Sequence, residues 1–233
     1  MEKMSGKRLK IIRNHFEQEA AEFDANFYRI APHYKDMIRS AAELLPFAKA
    51  DKVKILDLGC GTGNLTGEIL ALFPDASVTC VDIAENMLRL AKTKFKKNSN
   101  IIYRRCDIRK FYCKEKFDAV VSSLVLHHIE KKEKQKFFDI IFKSLFRGGI
   151  FVSVDILSSG NRRIKEIFIA KWREFANSMG IKEKQFQEVL AMHRKEDRPV
   201  TMEQELAMMR KSGFKDVEVI LRHYYFALYC GHK

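Results

Sequence analysis

Residues 53–63 read Val-Lys-Ile-Leu-Asp-Leu-Gly-Cys-Gly-Thr-Gly, an apolar run that enters a turn of alternate glycines. Gly59, Gly61 and Gly63 can take positive φ, and without Cβ atoms they let a ligand approach the main chain. A helical pattern follows, with Leu65, Ile69, Leu72 and Phe73 at helical spacing before Pro74 ends it. The turn therefore sits at a helix N-terminus, where free N–H groups favour an anion. Spacing then restricts the ligand. A dinucleotide site wants G-x-G-x-x-G, and here the third glycine comes one residue early. Asp57 precedes the turn, where it would repel a pyrophosphate but suits an amino-acid ammonium. Asp82 closes the next apolar run, Ser77-Val78-Thr79-Cys80-Val81-Asp82, and a carboxylate there can accept both ribose hydroxyls.

The elements that position these residues follow from pattern. Strands are expected at about 53–58, 77–82, 101–105, 117–123 and 150–156, separated by helical stretches. That alternation is the signature of a parallel, doubly wound α/β sheet. Val53, Ile55, Leu56 and Leu58 suit a strand covered on both faces. Residues 1–50 form a helical leader, with an apolar stripe of Leu9, Ile12 and Phe16, then an aromatic-rich segment around Phe23 to Tyr34 broken by Pro32. Residues 51–157 are the ligand-binding core. Residues 158–200 break the rhythm with two helices, one carrying Ile164, Phe168, Trp172, Phe175 and Met179, the other Phe186, Val189, Leu190 and His193. Residues 201–233 return to the core as a helix and two strands, 215–223 and 224–230, in a tight hairpin.

Glycine turn, Asp57, Asp82 and a third acidic position at Asp107 together resemble the class I S-adenosylmethionine-dependent methyltransferases, whose glycine motif is D-x-G-x-G-x-G. The resemblance implies a Rossmann-like, mostly parallel seven-stranded sheet with an antiparallel C-terminal hairpin, and S-adenosyl-L-methionine as cofactor. It implies that Asp57 and Gly59, Cys60, Gly61 and Gly63 hold the methionine part and Asp82 the ribose. Ile83 and Met87 match the adenine wall, and Cys106-Asp107-Ile108 the segment that reads the adenine amino group. Tyr34 matches a leader tyrosine that closes over the cofactor, and Ser122 is placed with the same group. The chain is nearest to the small methyltransferase-like proteins related to carboxy-S-adenosylmethionine synthase, an enzyme of wobble-uridine modification. Two departures favour the ordinary cofactor. The synthases carry an arginine in the insertion where this chain has Leu190, and their glycine motif departs from the pattern kept here.

Composition sets the remaining bounds. The 233 residues, 46% hydrophobic and 31% charged, suit a globular chain with a substantial core. No apolar run has the length of a membrane span. The N-terminus lacks the apolar core of a signal peptide. Five cysteines without a C-x-x-C suggest neither disulfides nor a zinc site, and a reducing cytoplasm is the simplest compartment. Forty-three Lys and Arg against 30 Asp and Glu give +13, which can mean a nucleic-acid partner. The lysines at 92, 94, 96 and 97 and at 131, 132, 134 and 136 alternate with apolar positions, so solvated helix faces explain them as well.

An S-adenosylmethionine sulfonium activates its own methyl group, so transfer needs chiefly proximity and alignment. No metal is expected at the site, and no Ser/His/Asp triad. His127 and His128, after the fourth strand, lie at the carboxyl end of the sheet where α/β proteins place ligands, although the resemblance carries similar residues as helix-start packing. With Asp155, His193 and Tyr225 they are the candidate bases if an acceptor needs deprotonation. Leader and insertion point to a small-molecule acceptor. A tRNA-modifying methyltransferase and a non-catalytic cofactor-binding protein are the alternatives, and the absence of an Asn-Pro-Pro-Tyr-like motif at Ser122-Ser123-Leu124-Val125 argues against adenine amino methylation. The sequence leaves the oligomeric state open, with a homodimer as one option.

Overall fold

The computed structural model describes residues 10, 11, 13, 14 and 23–233. The expected stripe of Leu9, Ile12 and Phe16 lies outside the described residues. Helices α1 (Phe23–Ile30) and α2 (Tyr34–Glu43) lead into β1 (Lys54–Leu58), α3 (Asn64–Leu72), β2 (Ser77–Asp82), α4 (Glu85–Lys94) and β3 (Ile101–Arg105). Then come β4 (Phe117–Ser123), α5 (Lys131–Ser144), β5 (Leu145–Ile156), α6 (Arg162–Ser178), α7 (Glu183–Glu196), α8 (Met202–Ser212), β6 (Lys215–His223) and β7 (Phe226–His232). The seven strands form one mixed sheet in the order β3-β2-β1-β4-β5-β7-β6. Only β7 runs antiparallel to its neighbours, pairing Ile150 with His232 and Ile156 with Phe226. The Rossmann-like, doubly wound sheet with a C-terminal hairpin expected from the sequence is thus present.

Strand residues alternate between two cores, as a pleated strand requires. Ile55, Val78, Ala119, Val121 and Val152 pack with Met37 and Ala41 of α2, Leu65 and Ile69 of α3, and Phe168, Trp172, Phe186 and Leu190 of the insertion. Leu56, Leu58, Val120 and Phe151 pack on the other face with Phe137, Phe138 and Ile141 of α5 and Met209 of α8. Burial on both faces explains why these strands read as continuous apolar runs.

The strand order reverses between the parallel neighbours β1 and β4, so the loops after these two strands border one crevice. The glycine turn forms one side. The segment from Ser123 to the short turn Leu126–His128 forms the other.

Three local expectations are corrected. The fifth strand begins at Leu145, five residues ahead of the expected start, because Phe117 pairs with Leu145 before a register shift near the two glycines at 148 and 149. The last strand begins at Phe226, since Tyr224 takes positive φ and forms the hairpin turn with Tyr225. Lys134, expected on a solvated face, is 1% exposed. It shares a helix face with Phe137, Phe138 and Ile141, and its ammonium meets the buried Glu205 of α8.

Candidate active site

The crevice is built from the glycine turn outward. The Gly59 and Cys60 N–H groups donate to Val81 O at 2.7 and 3.1 Å, which anchors the turn to β2. Gly59, Gly61 and Gly63 all have positive φ. A Cβ at Gly59 would strike Val125, and one at Gly63 would strike the Phe95 ring. At Gly61 a Cβ would meet no atom within 4 Å. Packing requires two of these glycines, while the third borders open space.

Asp57 lies beneath the turn with no exposed surface. Its Oδ2 accepts from the Thr66 hydroxyl at 2.6 Å, and its Oδ1 is buried without a hydrogen-bond partner. Burial pushes its pKa up to about 7, with the Asp82 charge adding to the rise and Thr66 opposing it. The folded chain therefore holds a proton that the unfolded chain has released between about pH 4 and pH 7. The stability of the ligand-free protein falls as pH rises through that window, by up to about 1.4 kcal/mol per pH unit, and levels off above it. Thermal melts across pH 5–8 check this: the wild type loses stability toward alkaline pH and Asp57→Asn loses markedly less. Identical slopes would refute it.

Asp82 ends β2 and is clamped by the main chain. Gly61 N donates to its Oδ2 at 2.9 Å and Ala84 N to its Oδ1 at 2.8 Å. Ile83 is half-buried, Met87 and Ile108 are buried, and Cys106 is partly exposed. Asp107 caps the short turn that follows it, accepting from Arg109 N at 3.0 Å, and the Arg109 guanidinium grips both its oxygens. That arginine also reaches Glu133. The Cys60 thiol is raised by its Cys80 neighbour and by burial, so it stays protonated. Ser122 is fully buried and donates to Leu58 O at 2.9 Å, which ties β4 to β1. Its neighbour Ser123 faces the leader instead, sharing a 2.8 Å hydrogen bond with the Tyr34 hydroxyl.

The five candidate bases come together, and they come with a residue that the sequence analysis missed. His127 Nδ1 and Asp155 Oδ1 are 2.5 Å apart. Asp197, just past α7, lies 3.7 Å from His127 Nε2, 3.1 Å from His128 Nδ1 and 2.6 Å from His193 Nδ1. The His193 ring packs on Tyr225 and Trp172. Burial lowers the His127 pKa, but Asp197 and Asp155 outweigh it and hold it above the usual histidine range. Burial and the neighbouring His127 keep His128 low. Burial raises Asp197, yet the histidines hold it well below the usual carboxylate range. Its i,i+4 spacing from His193 is the one sequence signal that links Asp197 to this group, and nothing in the sequence links it to His127 or His128. Only the fold of the insertion brings it across.

Residues 55–149 match the methyltransferase domain family. The chain is 26% identical over 218 residues to the carboxy-S-adenosyl-L-methionine synthase of Nautilia profundicola, with 93% of each chain covered. The malonyl-[acyl-carrier protein] O-methyltransferase of Acetivibrio thermocellus is 35% identical over 114 residues, 49% of this chain and 38% of that one. Among solved structures, the N-methyltransferase NodS from Bradyrhizobium japonicum in complex with S-adenosyl-L-homocysteine superposes with a TM-score of 0.67. It is 18% identical, and the match covers 95% of this chain and 97% of that one. At that identity the likeness concerns the fold. Residues 55–149 thus carry a methyltransferase domain, and with the synthase relative along nearly the whole length and this sheet order around a D-x-G-x-G-x-G turn, the chain as a whole is similar to the class I S-adenosylmethionine-dependent methyltransferases.

Proposed function

We propose that this enzyme transfers the S-adenosylmethionine methyl group to a small-molecule acceptor enclosed by the leader and the 158–200 insertion. The observation that carries the reading is the cover over the carboxyl end of β4. Tyr34 reaches Ser123, Trp172 Nε1 donates to Ile30 O at 2.7 Å, and Arg29 Nε donates to Met179 O at 2.9 Å. Leader and insertion are thus joined to each other above the crevice, the form of a site that shields a compact ligand from water. The O-methyltransferase relative is named for a malonyl group, a compact acceptor borne in that case on a carrier protein.

The residues fit the cofactor. The unpartnered Oδ1 of Asp57 suits its ammonium, and the open side of Gly61 leaves room beside the main chain. Asp82 is held by two N–H groups in position for ribose hydroxyls, and Ile83, Met87 and Ile108 offer an apolar wall. Asp107 would share its carboxylate between Arg109 and the adenine amino group. When bound, the cofactor supplies a sulfonium-activated methyl group. The chain's own part is to bind, orient and exclude water. Leu190 is buried and apolar, which favours the ordinary cofactor over a carboxylated one. Free cysteines support a reducing cytoplasm, and among the described residues no helix is long and apolar enough to cross a membrane. Because the five candidate bases are bonded to or packed on one another, we assign them to holding the site together rather than to removing a proton.

The test uses methyl-labelled S-adenosylmethionine with two acceptor pools, the low-molecular-mass fraction of a cell extract and undermodified tRNA. Label entering a small molecule is the expected result. Label entering RNA, with binding that falls steeply as salt rises, would replace this reading with the tRNA alternative. Absence of cofactor binding by calorimetry would overturn the cofactor site itself.

A further inference from the structure

We propose that His127 Nε2, His128 Nδ1 and Asp197 Oδ1 form a binding site for one divalent first-row transition-metal ion, which clasps the end of the insertion to the end of β4. The three atoms lie within 4.8 Å of one another. Ligands about 2.1 Å from an ion sit roughly 3.0–3.5 Å apart at octahedral to tetrahedral angles. The separations of 3.1 and 3.7 Å to Asp197 are close to that range, and a modest turn of the imidazoles closes the set on one ion. Two nitrogens and one carboxylate suit Zn²⁺, Co²⁺, Fe²⁺ or Mn²⁺ rather than Ca²⁺, which prefers an all-oxygen shell.

Two further observations point to an ion. Metal-bound imidazoles characteristically donate their second N–H to a carboxylate, and bound carboxylates are themselves hydrogen-bonded. Both partners are in place: Asp155 Oδ1 on His127 Nδ1 at 2.5 Å, and His193 Nδ1 on Asp197 Oδ2 at 2.6 Å. In addition, Asp155 Oδ2 is buried with no hydrogen-bond partner, and Asp155 and Asp197 flank the two nitrogens of His127, so a dication there would offset the charge of both carboxylates. The ligands come from two segments, His127 and His128 from the loop after β4 and Asp197 from the end of the insertion. The Arg198 N–H donates to His127 O at 2.7 Å and runs the two segments together at that point. The ion's role is to hold this junction closed, since the methyl group needs no Lewis acid.

The proposal is independent of the acceptor, and its test needs neither cofactor nor turnover. The tag-free full chain is stripped with EDTA, dialysed, and titrated with Zn²⁺ by calorimetry and with Co²⁺ by visible absorption. One ion per chain with Kd of about 1 μM or below is expected. Saturation raises the melting midpoint by about 5–10 °C. His128→Gln and Asp197→Asn each weaken binding about a hundredfold, and His193→Gln, which touches the ion only through Asp197, about tenfold. Should Asp197→Asn fail to fold, His128→Gln, at the more exposed of the two imidazoles (15% against 5%), still gives a variant to measure. No bound ion at millimolar metal, or unchanged affinity in folded His128→Gln, would overturn the site and leave a hydrogen-bonded latch.

Discussion

Asp82→Ala weakens S-adenosylmethionine binding by about a hundredfold in calorimetry while leaving the chain folded. A hydrogen bond to a charged group contributes about 1.5–3 kcal/mol, which alone gives roughly tenfold to a hundredfold. The upper end is expected because this carboxylate does two things. In the proposed site it would offer lone pairs to ribose hydroxyls, and it accepts from Gly61 N and Ala84 N, so it also holds the glycine turn in shape. Its removal loosens the turn as well as deleting the contact. Asp82→Asn keeps one acceptor oxygen and turns an amide N–H toward a main-chain donor, so it falls between, at about tenfold. Unchanged affinity in a folded Asp82→Ala would remove Asp82 from the cofactor site.

Lys134→Met destabilises the protein by about 3–5 kcal/mol, a drop of about 10 °C or more in melting midpoint for a chain of this size. Lys134 and Glu205 are 1% and 0% exposed, and the ammonium lies 2.9 and 2.8 Å from the two carboxylate oxygens. The Tyr229 hydroxyl donates to the same carboxylate at 3.0 Å. Burial raises the Glu205 pKa and Lys134 pulls it back down, so removing the lysine leaves a buried anion or forces it to take up a proton. In the variant the folded pKa of Glu205 rises further above its unfolded value. The loss of stability therefore grows as pH rises from about 4 and is greater at pH 8 than at pH 5. Lys134→Met/Glu205→Gln recovers most of the loss, because it removes the charge and keeps an acceptor for Tyr229. A single variant within 1 kcal/mol of wild type by denaturant titration would show that the pair contributes little.

The fold was legible in the sequence because its signals are local. The central parallel strands β1, β2 and β4 are apolar runs of a few residues, buried on both faces, and each is followed by a turn or cap that stops it. The glycine turn was legible for the same reason: φ and the helix start depend on residues 57–64. Its own geometry still divided the three glycines, since packing against Val125 and Phe95 decides that Gly59 and Gly63 serve the protein and Gly61 borders open space.

What only the tertiary structure decided are the long-range meetings. Lys134 reads as one more surface lysine until α8 arrives over it with Glu205, 71 residues away. Ser122 and Ser123 are adjacent letters, yet strand alternation turns one hydroxyl into the sheet and the other toward Tyr34. His127, Asp155 and the pair His193 and Asp197, four residues apart at the end of one helix, come from three separate segments, and no period or spacing relates those segments. Side-chain alternation and helical periodicity are properties of a few consecutive residues, so sequence carries them. The convergence of polar groups depends on how the insertion folds back over the sheet, which is determined by the summed packing of α6 and α7 on β7 and the leader.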